Sequence, residues 1–256
     1  MLFTIDVGNT NIVLGIYDKD ELKFSYRMAT DRTKSSDEIG FFFLQILQNA
    51  GINPSQIEDA VISSVVPPVM HSLENAVRKY FKKEPIVISS STPLGMEILI
   101  DNPKELGADR IVNAIAAYEL YGGPAIVIDF GTATTFCVIN EDGNYLGGAI
   151  YPGLKISIDA LVERTAKLPR IEITKPENVI GKNTVNSMQS GIVYGYVGMV
   201  DFIVKKMAKE LGADDLKVIA TGGLSTLISE ESETITHIDR DLTLKGLKII
   251  YEKYLK

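Results

Sequence analysis

The feature that most constrains the fold is an internal repeat built around the pattern Asp-x-Gly. In each copy an apolar strand ends in this pattern, and small polar residues, a second strand, a hairpin turn and a third strand follow. The two copies pair Asp6 with Asp129 and Gly8 with Gly131. Because helical segments follow each copy, the sequence predicts an α/β protein of two similar lobes.

The spacing of apolar residues predicts the elements of each copy. In the first copy we expect strands at Leu2–Val7, Ile12–Tyr17, a third through Tyr26, Asp59–Ser63 and Pro85–Ile88, and helices at Glu38–Ala50 and Pro67–Lys82. In the second we expect strands at Ala125–Phe130, Phe136–Asn140, Asn144–Ile150 and Leu216–Ala220, and helices at Ile156–Ala166, Val185–Leu211 and Leu242–Leu255. The expected domains are residues 1–117 and 118–256, with the last helix free to pack back on the N-terminal lobe.

Composition narrows the class of protein. The 256 residues include 26 basic and 33 acidic side chains, a net charge of -7 that argues against a general nucleic-acid binder. With Cys137 as the one cysteine and two histidines, neither an internal disulfide nor a Cys/His zinc site is expected. The N-terminus resembles no secretory signal, and apolar stretches fall short of the ~20 residues that span a bilayer, so we expect a soluble, cytoplasmic protein.

The first Asp-x-Gly loop has the chemistry of a phosphate site. Gly8 allows close approach of the backbone, Thr10 and Asn11 can donate hydrogen bonds, and Asp6 can hold Mg²⁺ together with substrate phosphates. A single copy would be read as an ordinary hairpin turn. Two copies favour two loops that clamp a nucleotide in a cleft between the lobes. No Walker A sequence is present.

The second loop, residues 131–135, carries more hydroxyl groups and suits phosphate contacts through Thr132 or a monovalent cation beside Asp129. The alternative is a strand-end aspartate that caps its own turn. The pair Gly222-Gly223 follows a strand and would let the backbone lie against a nucleobase or ribose. A plain strand-to-helix turn explains this pair equally well.

Two helix starts carry further polar groups. Asp109 and Arg110 precede the apolar run Ile111–Leu120 and offer a general base beside an anion clamp. The alternative for Asp109 is a first-turn or N-cap acid stabilised by the helix dipole. Thr184 opens the long helix and could offer a hydroxyl group to a substrate, although the segment also reads as a simple helix start.

Five segments together resemble the type III pantothenate kinase family, within the superfamily of acetate kinase, sugar kinases, Hsp70 and actin. They are DVGNTN at 6–11, NPKELGADR at 102–110, DFGTATT at 129–135, ERTAKLPRI at 163–171 and GKNTVNSMQSG at 181–191. The resemblance spans nearly the whole chain and implies two ribonuclease-H-like lobes in an actin-like ATPase fold. It also implies a homodimer that phosphorylates pantothenate with ATP, the first step of coenzyme A synthesis, and needs Mg²⁺ and K⁺ or NH₄⁺.

The resemblance assigns roles by position. Asp109 matches the catalytic base and Asp129 the ligand of the monovalent cation. The matching ATP contacts are Asp6, Val7, Gly8, Asn9, Thr10, Asn11, Ile12, Val13 and Thr132, and the matching pantothenate contacts are Gly107, Ala108, Asp109, Arg110 and Thr184. Gly222 and Gly223 are added to the expected ATP contacts because their backbone could lie against a nucleobase or ribose. One departure is Ile100, where many members have a tyrosine that touches pantothenate.

Three other functions compete with this one. An actin- or chaperone-like nucleotide switch would need insertions for which 256 residues leave little room. A transcriptional or accessory regulator is a label given to some relatives, and the acidic balance argues against direct DNA binding. A sugar kinase would share both phosphate loops, since the loops do not select the acceptor.

Overall fold

The computed structural model describes residues 1–213 and 215–256, which divide into two compact units. Unit 1 comprises residues 1–96, 101–116 and 242–256. Unit 2 comprises residues 97–100 and the described part of 117–241. Each unit contains one five-stranded mixed sheet.

Unit 1 follows the order strand-strand-strand-helix-strand-helix-strand, with further helices from later in the chain. Numbered along the whole chain, its elements are β1 Leu2–Val7, β2 Asn11–Asp18, β3 Glu21–Ala29, α1 Ser36–Asn49, β4 Asp59–Ser64, α2 Pro67–Phe81, β5 Ile86–Val87, the first part of α3 Ala108–Tyr121, and α7 Leu242–Ile250. The sheet order is β3-β2-β1-β4-β5, in which β1 runs antiparallel to β2 and parallel to β4.

The side chains of β1 alternate between two buried faces. Phe3 and Ile5 join the apolar cluster that contains Phe43 of α1 and Leu73 of α2. Thr4 faces the other way, beside Gly15, where an added Cβ would lie 3.1 Å from Leu244 of α7. Because successive residues of a strand point to opposite faces, Asp6 lies on the same face as Thr4.

Unit 2 repeats this arrangement. Its elements are the end of α3, β6 Ala125–Phe130, β7 Ala133–Ile139, β8 Tyr145–Pro152, α4 Leu154–Glu163, α5 Thr184–Leu211, β9 Lys217–Gly222, α6 Ser225–Ser229 and β10 His237–Ile238. The order β8-β7-β6-β9-β10 matches β3-β2-β1-β4-β5 strand for strand. The predicted α/β fold with an internal repeat is therefore confirmed.

Several expected boundaries were wrong. Residues 131–135 do not form one turn, since β7 begins at Ala133 and pairs Thr134 with Phe130. The third strand continues to Ala29, because its pairing with β2 extends to Asn11. The last α-helix ends at Ile250, and Tyr251–Leu255 form a π-helical turn.

Candidate functional site

The loop of residues 8–10, between β1 and β2, is held in place by the end of β3. The Gly8 N–H donates to the Asn11 carbonyl oxygen at 3.0 Å, which closes the turn. Thr30 adds two bonds, from its N–H to the Thr10 carbonyl at 3.0 Å and from its Oγ1 to the Gly8 carbonyl at 2.6 Å. Asn9 and Thr10 are exposed, so the tip of the loop is open to a ligand.

The predicted ATP contacts around this loop differ in how far their side chains are exposed to solvent. Val7 and Ile12 are fully buried in the core of unit 1, so their side chains serve packing and they can reach a ligand through the backbone alone. Asp6 is partly buried and lies in register with Ser63 of the parallel strand β4. Side chains in register share a face, so the two polar groups lie side by side where both strands end.

Asp109 lies in the first turn of α3, as the local interpretation expected. Its Oδ1 accepts a hydrogen bond from the Arg110 N–H at 2.8 Å. A Cβ placed on Gly107 would lie 2.5 Å from that same oxygen and 3.2 Å from Cγ1 of Val65, so a larger residue there would require the Asp109 side chain to shift. The carboxylate therefore lies close to Val65, which directly follows β4.

Burial raises the pKa of the Asp109 carboxyl above its usual range, while the Arg110 N–H and the Arg110 charge oppose the shift. The start of α3 favours the anion in the same way, through its unpaired N–H groups. The net result is a carboxylate with greater affinity for a proton than an exposed aspartate. This is the property expected of a general base.

In unit 2 the corresponding loop is shorter. The Gly131 N–H donates to the Ala133 carbonyl at 3.1 Å, and the Gly153 N–H donates to the Thr132 carbonyl at 3.1 Å. Gly131 and Thr132 are both exposed. A Cβ on Gly153 would lie 2.1 Å from the Thr132 carbonyl oxygen, so the chain before α4 packs directly against this loop.

The structure brings together Asp129 and Gly222, which are far apart in sequence. Asp129 pairs in register with Thr221 across β6 and β9. Gly222 has φ +90°, and a Cβ there would lie 2.7 Å from Oδ1 of Asp129. A side chain at position 222 would therefore crowd the Asp129 carboxylate.

The carboxylates of Asp129 and Asp6 can be compared with what a metal site requires. No group of three or more His, Cys, Asp or Glu side chains that could hold a metal occurs in residues 1–213 and 215–256. Neither Asp129 nor Asp6 therefore belongs to a cluster of the kind that holds a tightly bound metal. A single carboxylate of this kind suits a cation that phosphates also hold, as is usual for Mg²⁺.

Thr184 lies on a groove of about 730 Å³ within unit 2, at the start of α5. Asn183 caps the helix, since its side chain accepts from the Asn186 N–H at 2.8 Å. Lys182 and Met188 also line the groove. Thr184 is exposed, so its hydroxyl group can reach a ligand there.

The sequence analysis did not single out two polar residues of unit 1, Ser63 and Arg32. Ser63 is fully buried, and its hydroxyl group has no hydrogen-bond partner within the described residues. Its position at the end of a strand parallel to β1 could have drawn attention to it, because ligands bind at the carboxyl ends of parallel strands. The Nη2 atom of Arg32 lies 3.5 Å from Oδ1 of Asn9. No local sequence pattern predicts this contact.

The comparisons with known proteins bear on the fold and the family. A Baf family protein from Campylobacter jejuni, described as a conserved transcriptional activator, is 19% identical with a TM-score of 0.62 over 98% of both chains. Component A of the (R)-2-hydroxyglutaryl-CoA dehydratase of Acidaminococcus fermentans is 15% identical with a TM-score of 0.56 over 100% of both chains. The inorganic polyphosphate/ATP-glucomannokinase of Arthrobacter sp. strain KM is 13% identical with a TM-score of 0.50 over 98% of both. At these identities the likeness shows the fold alone, that of actin-like ATPases and sugar kinases.

Two further findings concern the chain as a whole. Among the helices of the described residues, none has the length and apolar character needed to cross a membrane. The sequence model of the type III pantothenate kinase family matches residues 2–206, well over half of the chain. The chain therefore belongs to the type III pantothenate kinase family and is a phosphotransferase.

Proposed function

We propose that the protein phosphorylates pantothenate to 4'-phosphopantothenate with ATP, and that Asp109 is the general base. The pantothenate hydroxyl oxygen forms a bond to the γ-phosphorus, and the bond from that phosphorus to the β–γ bridging oxygen breaks. The hydroxyl proton passes to the Asp109 carboxylate, and ADP leaves with the bridging oxygen. Every atom and electron pair of the two substrates is then accounted for.

The environment of Asp109 is the observation that carries this proposal. Partial burial raises the pKa of its carboxyl, which increases its affinity for the proton that the acceptor releases. A side chain at Gly107 would crowd the carboxylate, since its Cβ would lie 2.5 Å from Oδ1. Arg110, next in sequence, supplies a positive charge for an anionic group of the acceptor, and Thr184 offers a hydroxyl group.

In this proposal the ATP contacts of unit 1 are residues 6–13 with their exposed loop tip. Those of unit 2 are Thr132 and the backbone of Gly222 and Gly223. Asp6 would hold Mg²⁺ together with phosphates, and Asp129 would hold K⁺ or NH₄⁺. These cations offset the phosphate charge when bound, so that the work of the chain is mainly to position the reactants.

We also propose that the protein is a homodimer joined through unit 2. That unit exposes large apolar side chains on the edge strand β8, on α4, on the segment before α5 and on α5 itself. They include Ile150 at 63%, Ile156 at 45%, Ile180 at 82% and Phe202 at 62%. Such a concentration of exposed apolar side chains is typical of an interaction surface.

The deciding experiment measures ATP turnover with pantothenate, with common hexoses and with no acceptor. Formation of ADP together with a phosphorylated pantothenate, identified by mass spectrometry, is the expected result. Asp109→Asn should remove this activity, whereas Asp142→Asn, an equal charge change on an exposed hairpin, should not. Turnover with a hexose but not with pantothenate would replace the proposal by a sugar kinase.

A further inference from the structure

Arg32 lies beside the phosphate loop of unit 1 although it is distant from that loop in sequence. The residues after β3 are joined to the loop by the two hydrogen bonds of Thr30, at 3.0 and 2.6 Å. Two residues further on, Nη2 of Arg32 lies 3.5 Å from Oδ1 of Asn9, at the long limit of a hydrogen bond. The guanidinium therefore lies beside the exposed tip of the loop.

The charge of this guanidinium is not neutralised within the protein. Arg32 is exposed and forms no ion pair with any carboxylate in the described parts of the chain. The adjacent Asp31 is engaged elsewhere, since its Oδ1 accepts from the N–H of Thr33 at 2.9 Å and from its Oγ1 at 2.7 Å. With five donors and one long contact, Arg32 has the capacity to bind an anion.

We propose that Arg32 binds the terminal phosphate of ATP through its guanidinium, an inference that rests on the proposed kinase function. The exposed tip of residues 8–10 would receive the polyphosphate chain, and Arg32 extends that surface with a planar fork that matches phosphate oxygens. The contact with the Asn9 side chain places the guanidinium beside the loop. On phosphate binding, the long Asn9 contact is exchanged for shorter charge-assisted hydrogen bonds.

The guanidinium would act on the phosphoryl group as it is transferred. Charge on this group is spread over its equatorial oxygens, so a fixed cation beside them stabilises both the bound nucleotide and the transition state. Arg32 makes no covalent bond and takes no proton. Lysine at this position would keep the charge and lose the two-pronged geometry.

Calorimetric binding of a non-hydrolysable ATP analogue, ADP and AMP, each with Mg²⁺, tests the proposal. For Arg32→Gln we expect a loss of about 10- to 100-fold in affinity for the ATP analogue, the range for hydrogen bonds to a charged group. The loss for ADP should stay below about threefold, with Arg32→Lys between wild type and Arg32→Gln. Arg27→Gln, the same change at an exposed arginine on β3, should shift affinity by less than about twofold.

Each other outcome overturns the inference in a distinct way. Equal losses for the ATP analogue and ADP would place the guanidinium on an inner phosphate. Equal losses of affinity in Arg27→Gln and Arg32→Gln would mean that the positive charge acts only through its long-range electrostatic field and not through direct contact. Unchanged affinities in both Arg32 variants, with wild type active on pantothenate, would reject Arg32 and leave the proposed function intact. A wild-type protein that binds no nucleotide would reject both.

Discussion

Replacing Asp109 with asparagine should greatly reduce catalysis and at the same time stabilise the protein at neutral pH. Loss of a general base lowers the rate about 10²- to 10⁴-fold, while ATP affinity should change little because the nucleotide loops are untouched. Asparagine has nearly the same volume and can keep an oxygen toward the Arg110 N–H, 2.8 Å from Oδ1 in the wild type. The substitution therefore leaves no cavity and keeps the local hydrogen bond.

The gain in stability follows from the sign of the pKa shift. Burial raises the pKa of Asp109 in the folded state, so the folded state holds the proton more tightly than the unfolded state. Below the pKa of the unfolded state the carboxyl is protonated in both states, and the wild-type protein pays no cost for burying a charge. As the pH rises through the folded pKa the buried carboxyl must ionise, and the wild-type protein loses stability. Each unit of the shift corresponds to about 1.4 kcal/mol at higher pH. Asparagine does not titrate and avoids the loss.

Urea unfolding of both proteins across a pH series measures the effect. The midpoint of Asp109→Asn should exceed that of wild type at pH 7 to 8, and the difference should shrink as the pH falls toward the usual range of an aspartate. An asparagine variant that is less stable than wild type at neutral pH would refute the reasoning about burial. A difference in midpoint that does not vary with pH would do the same.

Three further predictions concern unit 2. Activity should be low in Na⁺ and rise in K⁺ or NH₄⁺ at constant ionic strength. Asp129→Ala should remove this response. Equal rates in Na⁺ and K⁺ would contradict the proposed cation site. Gly222→Ala should lower the free energy of unfolding, measured in urea, by about 1–3 kcal/mol. The reason is that φ is +90° and that the new Cβ would lie 2.8 Å from the Phe130 carbonyl oxygen. An unchanged unfolding midpoint would show that the backbone relaxes. Asp201→Asn should cost about 1.5–3 kcal/mol at pH 7, since the carboxylate accepts from Ser232 at 2.6 Å and from Oγ1 of Thr234 at 2.7 Å. Burial alone would raise the pKa of Asp201, but these bonds outweigh it and lower the pKa, so the cost should fade as the pH drops through the acid range.

The central part of each sheet could be predicted from sequence because local signals agree there. The segments Leu2–Val7 and Ala125–Phe130 are short apolar runs whose second-last residue is an aspartate, and both are central strands with these bounds. The hairpin signal at Gly143 also lies where the chain turns between β7 and β8, with φ +84°. These features depend on neighbours in sequence, so periodicity and turn chemistry suffice to find them.

The errors arise where pairing overrides local character. Residues 133–135 are small and polar, which favours a turn, yet they form a strand because Thr134 and Thr135 pair with Phe130 and Asp129. The contact of Arg32 with Asn9 likewise depends on how β3 returns beside β2, and no local pattern encodes that return. Register and long-range contacts are properties of the assembled sheet.

In both units a glycine lies against an aspartate, because an added Cβ on the glycine would crowd the carboxylate. A Cβ on Gly107 would lie 2.5 Å from Oδ1 of Asp109, and a Cβ on Gly222 would lie 2.7 Å from Oδ1 of Asp129. In each case a larger residue would crowd the carboxylate that we propose takes up a proton or holds a cation. The first pair is separated by one residue, Ala108, and is therefore visible as a motif. The second pair is joined only by the pairing of β6 with β9, so its meaning emerges only from the folded sheet.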